Sequence, residues 1–366
     1  MSHGVVDTRT LVPYLQKLDQ NPESLTIEDI NDAITIILHS ENVPDVQIAA
    51  FLVGARIVSR DHDVDFIHTA VQNLANVACK IDRTQLPEGI RFVDIVGTGG
   101  DHKDTFNVST TSAIVCAGMG LKVCKHGGPA STSKSGASDV LTSFGIDLSK
   151  ITSATASPIL SSGNFCYLNG PIFNPILAKT KKIRKEMGIP CIFNLVGPLL
   201  NPAPLYARVI GVYTPQLGPV YVQVIKQLNA EANYPQGTAL VVCGSEHLDE
   251  ISPECPTLFW RLHEDGSFSS GEVCPEDFGL SRHPLEEVKG GGPAENAVIL
   301  TDILAGNRER GDPILDFVLM NSAALAVISG KARDWKHGAD LAYDSIKSGR
   351  AREALEQLQQ AVDKLN

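Results

Sequence analysis

The amino-acid sequence predicts an α/β fold, a mostly parallel central sheet flanked by helices, together with a small all-helical domain. Three observations predict it. The 366 residues, 43% hydrophobic and 20% charged, are enough to bury one large core and a smaller satellite. From about residue 9 to 80 the apolar spacing is helical and no convincing strand interrupts it. Beyond "KIDRTQLPEGI", residues 80–90, where Pro and Gly mark a boundary, short β-branched runs end in glycine loops and lead into helices. That alternation belongs to a parallel sheet covered by helices.

Taken in order, "TIEDINDAITIIL" opens a helix with Thr26 and Asp29 at capping-box spacing, and "DVQIAAFLVGARIVS" follows Pro44 with its apolar residues on one helix face. The expected strands are "FVDIV", "LKVCK", "RVIGVY" and "ALVVCG". Between Ser157 and Gly188 the helical texture returns, and "PIFNPILAKTKKIRKEMG" reads as a long amphipathic segment that docks back on the N-terminal helices. The expected division is therefore a small helical domain over 1–88, with a returning segment at about 172–189, and a large α/β domain over 89–366. "DPILDFVLMNSAALAVISG" and "ADLAYDSIKSGRAREALEQLQQAV" close the chain at helical period, with no internal repeat.

Charge and cysteine usage exclude several classes of function. With 31 basic and 42 acidic residues the net charge is −11, so the overall field repels nucleic acid and anionic membrane. The densest basic run, "KTKKIRK" at 179–185, reads first as a solvated helix face. The eight cysteines form no C-x-x-C pair and no cluster with histidine at metal-ligand spacing, and they read as reduced, buried packing residues. The N-terminus has no signal pattern and no run approaches the ~20 apolar residues of a membrane span, so a soluble, cytoplasmic protein is expected.

The chemistry lies in three loops. In "FVDIVGTGGDHKDTFNVST", residues 92–110, a strand, a glycine turn and a hydroxyl-rich helix start expose backbone N–H groups at the positive end of a helix dipole, which is a site for phosphate. It is neither a P-loop, since no Lys-Ser/Thr follows, nor a dinucleotide fingerprint, whose third glycine would fall at His102. The next strand runs into "KHGGPASTSKSGASD", residues 125–139. A strand-helix-strand crossover brings both loops to one sheet edge, where together they fit a ligand with more than one phosphate group. A third strand delivers the adjacent Asp249 and Glu250 just past its end. They read either as a solvated acidic turn or as hard oxygen ligands for Mg²⁺, with Ser109 adding a hydroxyl. No nucleophile elbow and no paired Cys and His support covalent catalysis. "KGGGPAENA", residues 289–297, reads as a turn with a helix start.

"DIVGTGGD", "TFNVST", "KHGGPASTSKSGASDVL", "IRKEMGIPCIFNLVGPLLNPA" and "HLDEIS", in this order and across nearly the whole chain, resemble the anthranilate phosphoribosyltransferase family, joined by "GGGPAENAVILTDILAG" and "DFVLMNSAALAV". The resemblance implies a homodimeric enzyme of tryptophan biosynthesis with the nucleoside phosphorylase type of fold. It implies that anthranilate is joined to phosphoribosyl diphosphate with Mg²⁺ as cofactor and release of pyrophosphate. It further implies a donor site at Gly97, Gly100, Asp101, Thr105, Asn107, Ser109, Thr110, Lys125, His126, Gly127, Ser131 and Ser133. Metal ligands fall on Ser109, Asp249 and Glu250, and anthranilate contacts on Gly97, Gly128 and Arg184. His126 is the one candidate general base. Two departures touch the acceptor side. Gly128 and Pro129 stand where the common bacterial form has Asn-Arg, as in the fungal branch, and Asn174 stands where the family often has His.

Two alternatives are distinguishable. A pyrimidine nucleoside phosphorylase would share the architecture without needing the Asp-Glu pair. A non-catalytic relative binding nucleic acid would need a basic groove, against which the net charge of −11 argues.

Overall fold

The computed structural model describes residues 10–130, 134–232 and 237–365. In chain order the helices α1 (Val12–Gln20), α2 (Ile27–His39), α3 (Asp45–Ile57) and α4 (Val64–Val77) come first. They are followed by β1 (Phe92–Gly97), α5 (Val108–Gly118), β2 (Lys122–Gly127), α6 (Ala137–Ser143), α7 (Ala156–Ser162) and β3 (Phe165–Asn169). Next are α8 (Gly170–Phe173), α9 (Ala178–Met187), α10 (Ile192–Leu195), β4 (Leu205–Gly211), α11 (Leu217–Glu231), β5 (Thr238–Gly244), β6 (Thr257–Leu262) and β7 (Phe268–Val273). The chain ends in α12 (Pro293–Leu304), α13 (Pro313–Ile328), α14 (Trp335–Lys347) and α15 (Arg350–Asp363).

Two compact units result, Met1–Ala78 with Asn174–Leu200, and Cys79–Phe173 with Asn201–Asn366. In the smaller unit α2 opens on the capping box read from the sequence, Thr26 Oγ1 accepting from the Asp29 N–H at 3.2 Å and Asp29 Oδ2 from the Thr26 N–H at 2.9 Å. α1 packs on α3, α2 on α4, and the later segment joins them through α9 against α2 and α3 and α10 against α4. α9 stops where Gly188 turns left-handed at φ 66°, a conformation that costs glycine little.

The larger unit is built on one sheet in the order β3-β2-β1-β4-β5-β6-β7. The first five strands are parallel and the last two antiparallel. Every residue of β4 and β5 is buried, as parallel strands covered on both faces require. The four expected strands are present. Three were not read from the sequence. β3, "FCYLN", lies in a stretch assigned to helix, because a five-residue apolar run carries no period of its own. β6 and β7 form a hairpin across Asp265-Gly266, with Gly266 at φ 77°, a turn signal that the sequence did carry. Five cysteines are buried, but Cys79 is exposed and Cys255 and Cys274 are half-buried, so the buried-packing reading fails for these three. Among the described residues no helix is long and apolar enough to cross a membrane.

α5 is the central support of the glycine-rich sheet edge. All its residues except Ser109 are buried, packed among β1, β2, α13 and α15. Its last residue has no room for a side chain: a Cβ on Gly118 would stand 2.3 Å from Ser345 Oγ and 2.5 Å from the Ala351 nitrogen. Overpacking of this kind costs about 1–3 kcal/mol. Gly118→Ala should therefore lower the urea midpoint by that energy divided by the slope, the slope itself unchanged, and an unaltered midpoint would contradict the packing described.

Candidate active site

β1 and β2 are parallel neighbours, with Val93 opposite Val123, so the loops after Gly97 and Gly127 leave from the same edge. β4 and β5 end there too, Gly97 standing opposite Gly211 and Gly211 opposite Val242. The segment after β5 folds back onto the first loop. The Gly99 N–H donates to Asp249 Oδ2 at 2.5 Å and the Thr98 hydroxyl to the same oxygen at 3.3 Å. The Asp249 carboxyl group is thus seated on the glycine turn, whose N–H is turned toward an oxygen acceptor.

The turn itself is held in an unusual conformation. Gly99 and Gly100 have φ of 67° and 106°, and two residues with side chains, His102 and Asp104, have φ of 54° and 52°. Left-handed non-glycine backbone persists only when its surroundings fix it. Here they do: Thr105 bridges to Lys289, the Phe106 N–H donates to Val288 O at 2.8 Å, and the Gly290 N–H donates to Asp104 O at 3.0 Å. The "KGGG" segment therefore braces the loop as well as leading into α12, which Gly292 immediately precedes. Asp101 Oδ1 accepts from the Lys103 N–H at 3.2 Å. Asn107 caps α5, its Oδ1 accepting from the Thr110 N–H at 3.2 Å, while Thr110 is fully buried and Ser109 half-buried.

In the second loop Lys125 lies inside β2 and is 1% exposed, so it does not open the loop as the sequence reading had it. Its Nζ donates to Ile95 O at 2.7 Å and to Ser109 Oγ at 3.4 Å. Burial pushes its pKa down, opposed by Asp94 and Glu250. His126 is buried beside it, and Gly127 ends the strand. The Gly128 carbonyl accepts from the Ser138 N–H at 3.3 Å, and Asp139 closes the loop by accepting from the Ala130 and Gly136 N–H groups, each at 2.9 Å. Ser131 and Ser133 lie outside the described residues.

Asp249 and Glu250 are buried, 6% and 8% exposed, so they are not the solvated acidic turn that the sequence also allowed. Burial raises the Asp249 pKa well above the carboxylate range, and neighbouring Asp101 adds to the rise. Glu250 is raised by burial first and then by Asp249, with Lys125 pulling the other way. Asp94, Asp101, Asp249 and Glu250 face one buried ammonium, so a divalent cation would supply counter-charge that the acids lack, and their oxygens are the hard donors that Mg²⁺ takes. Among the described residues no three His, Cys, Asp or Glu side chains are grouped to hold a metal by themselves. An ion here fits as one held by one or two carboxylates, with other oxygens completing its shell.

Asp94 and Asn201 also shape this edge and were not singled out from the sequence. Asp94 is fully buried in β1. Its Oδ2 accepts from Asn201 Nδ2 at 2.8 Å and the His126 N–H at 3.2 Å, and its Oδ1 from the Ile95 N–H at 2.8 Å. Burial pushes its pKa up to about 6 against these donors and Lys125. Asn201 Nδ2 also donates to Cys124 O at 2.7 Å, tying β1 to β2. An acid inside the apolar run "FVDIV" was the available signal. Arg184 belongs to the smaller unit, on α9, with its Nε buried and unpaired among the described residues. Asn174, also in that unit, is 1% exposed, and neither atom of its amide has a partner among the described residues.

Glycine turns for anions beside buried carboxylates, on a parallel sheet, form the kind of site that a transferase of phosphorylated groups uses. The glycosyl transferase family matches the chain twice, its helical bundle domain over residues 12–77 and its a/b domain over 89–352. A relative from Schizosaccharomyces pombe, anthranilate phosphoribosyltransferase, is 44% identical over 92% of this chain and 93% of its own. The Saccharomyces cerevisiae anthranilate phosphoribosyltransferase in complex with PRPP and Mg superposes with a TM-score of 0.89 at 36% identity, covering 97% of this chain and 98% of that one. The same yeast enzyme in complex with 4-fluoroanthranilate gives 0.87 at 35% over the same shares. This chain belongs to the anthranilate phosphoribosyltransferase family.

A Cβ at Gly97 would stand 2.7 Å from Asp249 Oδ2 and 3.2 Å from the Asp249 carbonyl oxygen, so the carboxylate must swing away and the backbone yield by a few tenths of an ångström. Gly97→Ala should therefore fold while displacing that carboxylate from Gly99. A hydrogen bond to a charged group contributes about 1.5–3 kcal/mol, so exchange of the Gly99 amide with deuterated solvent should quicken about tenfold or more. An unchanged exchange rate would contradict the contact.

Proposed function

We propose that the chain transfers the phosphoribosyl group of 5-phosphoribosyl 1-diphosphate to the amine of anthranilate, giving N-(5-phosphoribosyl)anthranilate and pyrophosphate in tryptophan biosynthesis. The observation that carries this reading is the carboxylate of Asp249 on the N–H of Gly99, which joins an anion-binding turn and an acidic pair at one sheet edge.

On this proposal Gly97, Gly100, Asp101, Thr105, Asn107, Ser109 and Thr110 receive the diphosphate, and Lys125, His126, Gly127, Ser131 and Ser133 the ribose phosphate. Ser109, Asp249 and Glu250 would hold Mg²⁺, which when bound neutralises charge on the diphosphate. Gly97, Gly128 and Arg184 serve the acceptor, with the Arg184 guanidinium facing its carboxylate. The ribose C1–O bond to the diphosphate breaks as the anthranilate nitrogen bonds to C1 from the opposite face. The diphosphate keeps the electron pair and the new ammonium loses a proton. Backbone N–H groups of the glycine turn stabilise the charge gathering on the departing oxygen, an electrostatic contribution that needs no reorganisation at the moment of reaction. An aromatic amine is already neutral at pH 7, so little general-base help from His126 is required. The enzyme is proposed to work as a cytoplasmic homodimer without nucleic-acid or membrane partners.

The test is to mix purified protein, phosphoribosyl diphosphate, Mg²⁺ and anthranilate and follow loss of anthranilate fluorescence. Chelation should abolish the loss and added Mg²⁺ restore it. Phosphorolysis of thymidine or uridine, with no consumption of anthranilate, would overturn the reading in favour of a nucleoside phosphorylase. Arg184→Gln should raise KM for anthranilate about 10- to 100-fold, the worth of a charge-assisted pair, and leave KM for the donor within twofold. Equal rises in both constants would remove that role.

A further inference from the structure

We propose that Asn321 is a positioning residue for this reaction. From α13 it fixes where Asp249 and Glu250 stand, and so sets how tightly metal is held, without itself touching substrate or ion. The inference rests on the reading of Asp249 and Glu250 as metal ligands.

Asn321 is fully buried in a helix whose neighbouring residues, Phe317, Leu319, Met320 and Leu325, are apolar and also buried. Asparagine is a poor residue for a helix interior, and a buried amide is costly unless its polar atoms are paired. Here they are. Its Oδ1 accepts from the Ile251 N–H at 3.0 Å, and its Nδ2 donates to Ile251 O at 3.3 Å and to Phe317 O, one turn back, at 3.0 Å. Two of the three bonds go to both peptide groups of one residue, the one that follows Glu250. A contact at two points fixes the orientation of the chain there as well as its distance from the helix.

A second boundary confines the same turn. Gly211 ends β4, and a Cβ built on it would stand 1.5 Å from the Asp249 carbonyl oxygen. The backbone of Asp249 thus rests on a strand end without a side chain, while that of Ile251 is gripped by a helix amide. Two residues beyond Glu250 the register is fixed again, the Ser252 N–H donating to Thr257 Oγ1 at 2.8 Å. Between these anchors the backbone that carries the two carboxylates has little freedom to move, which is what a pair placed for an ion requires. Outer groups that orient ligands in this way typically alter metal affinity 10- to 100-fold when removed.

The experiment uses the full-length protein with Asn321→Leu, which keeps the branching but is bulkier and removes all three bonds, Asn321→Ser as a smaller polar alternative should the leucine variant fail to fold, and Asp249→Asn. Fold is checked by circular dichroism. Mn²⁺ is titrated calorimetrically into protein with phosphoribosyl diphosphate and no anthranilate, and the Mg²⁺ giving half-maximal turnover is measured separately. The expected result is a rise of about tenfold or more in the Mn²⁺ dissociation constant and in the Mg²⁺ requirement, with KM for anthranilate within twofold. A folded Asn321 variant with unchanged Mn²⁺ affinity, while Asp249→Asn weakens it, would overturn the proposal and leave the metal reading standing. If Asp249→Asn also left Mn²⁺ affinity unchanged, the metal reading would fall and this inference with it.

Discussion

Parallel pairing of β1 with both β2 and β4 is the constraint on which the candidate site depends. In a parallel sheet the chain must leave every strand at the same end, so successive connections accumulate there whatever their sequence. The glycine turn, the Lys125–Gly128 segment and the acidic turn come from widely separated parts of the chain, yet this pairing gathers them without any dedicated contact. The contacts that do exist then refine the arrangement. Asp94 and Asn201 tie β1 to β2, Asp249 seats the acidic turn on Gly99, and the Lys289–Gly290 segment braces the strained residues before α5.

The cost of this arrangement is electrostatic. Asp94, Asp249 and Glu250 are nearly inaccessible to water, and each has its pKa raised primarily by burial. A buried carboxylate without sufficient counter-charge destabilises a fold. Lys125 offsets part of that burden, and its own buried ammonium is tolerable only because the acids surround it. Such tension is usual where a protein keeps a site ready for a charged ligand, since what would relax the free protein would also blunt its affinity.

Much of this was legible in the sequence because it was written in strong local signals. The run "FVDIVGTGGD" announces a strand and a turn by β-branching followed by glycine, and Thr26 with Asp29 announces a helix start. The large unit's helical cover and the shared edge of the first two loops followed from alternation and crossover handedness alone. Of what was missed, the β6–β7 hairpin carried a turn signal at Asp265-Gly266 and Asp94 stood out as an acid in an apolar run, whereas β3 and Asn321 lack a local signature. β3 is too short to show a period, and Asn321 looks like one polar residue in an apolar helix until Ile251 arrives from seventy positions away. Lys125 was legible as a residue but not in its environment, because only the pairing of β2 with β1 shows that its ammonium is turned onto Ile95. The acidic pair was left open between solvent and metal because burial is a property of the assembled sheet edge.

The bonding of Asp94 bears on how this half of the sheet can assemble. Its partners come from β1, β2 and Asn201, and the last of these joins only after more than a hundred residues have been laid down. An intermediate that had zipped β1 onto β2 but not yet docked Asn201 would carry an enclosed acid short of a donor. Pairing of β1 with β2 alone is therefore penalised relative to the complete arrangement with Asn201 in place.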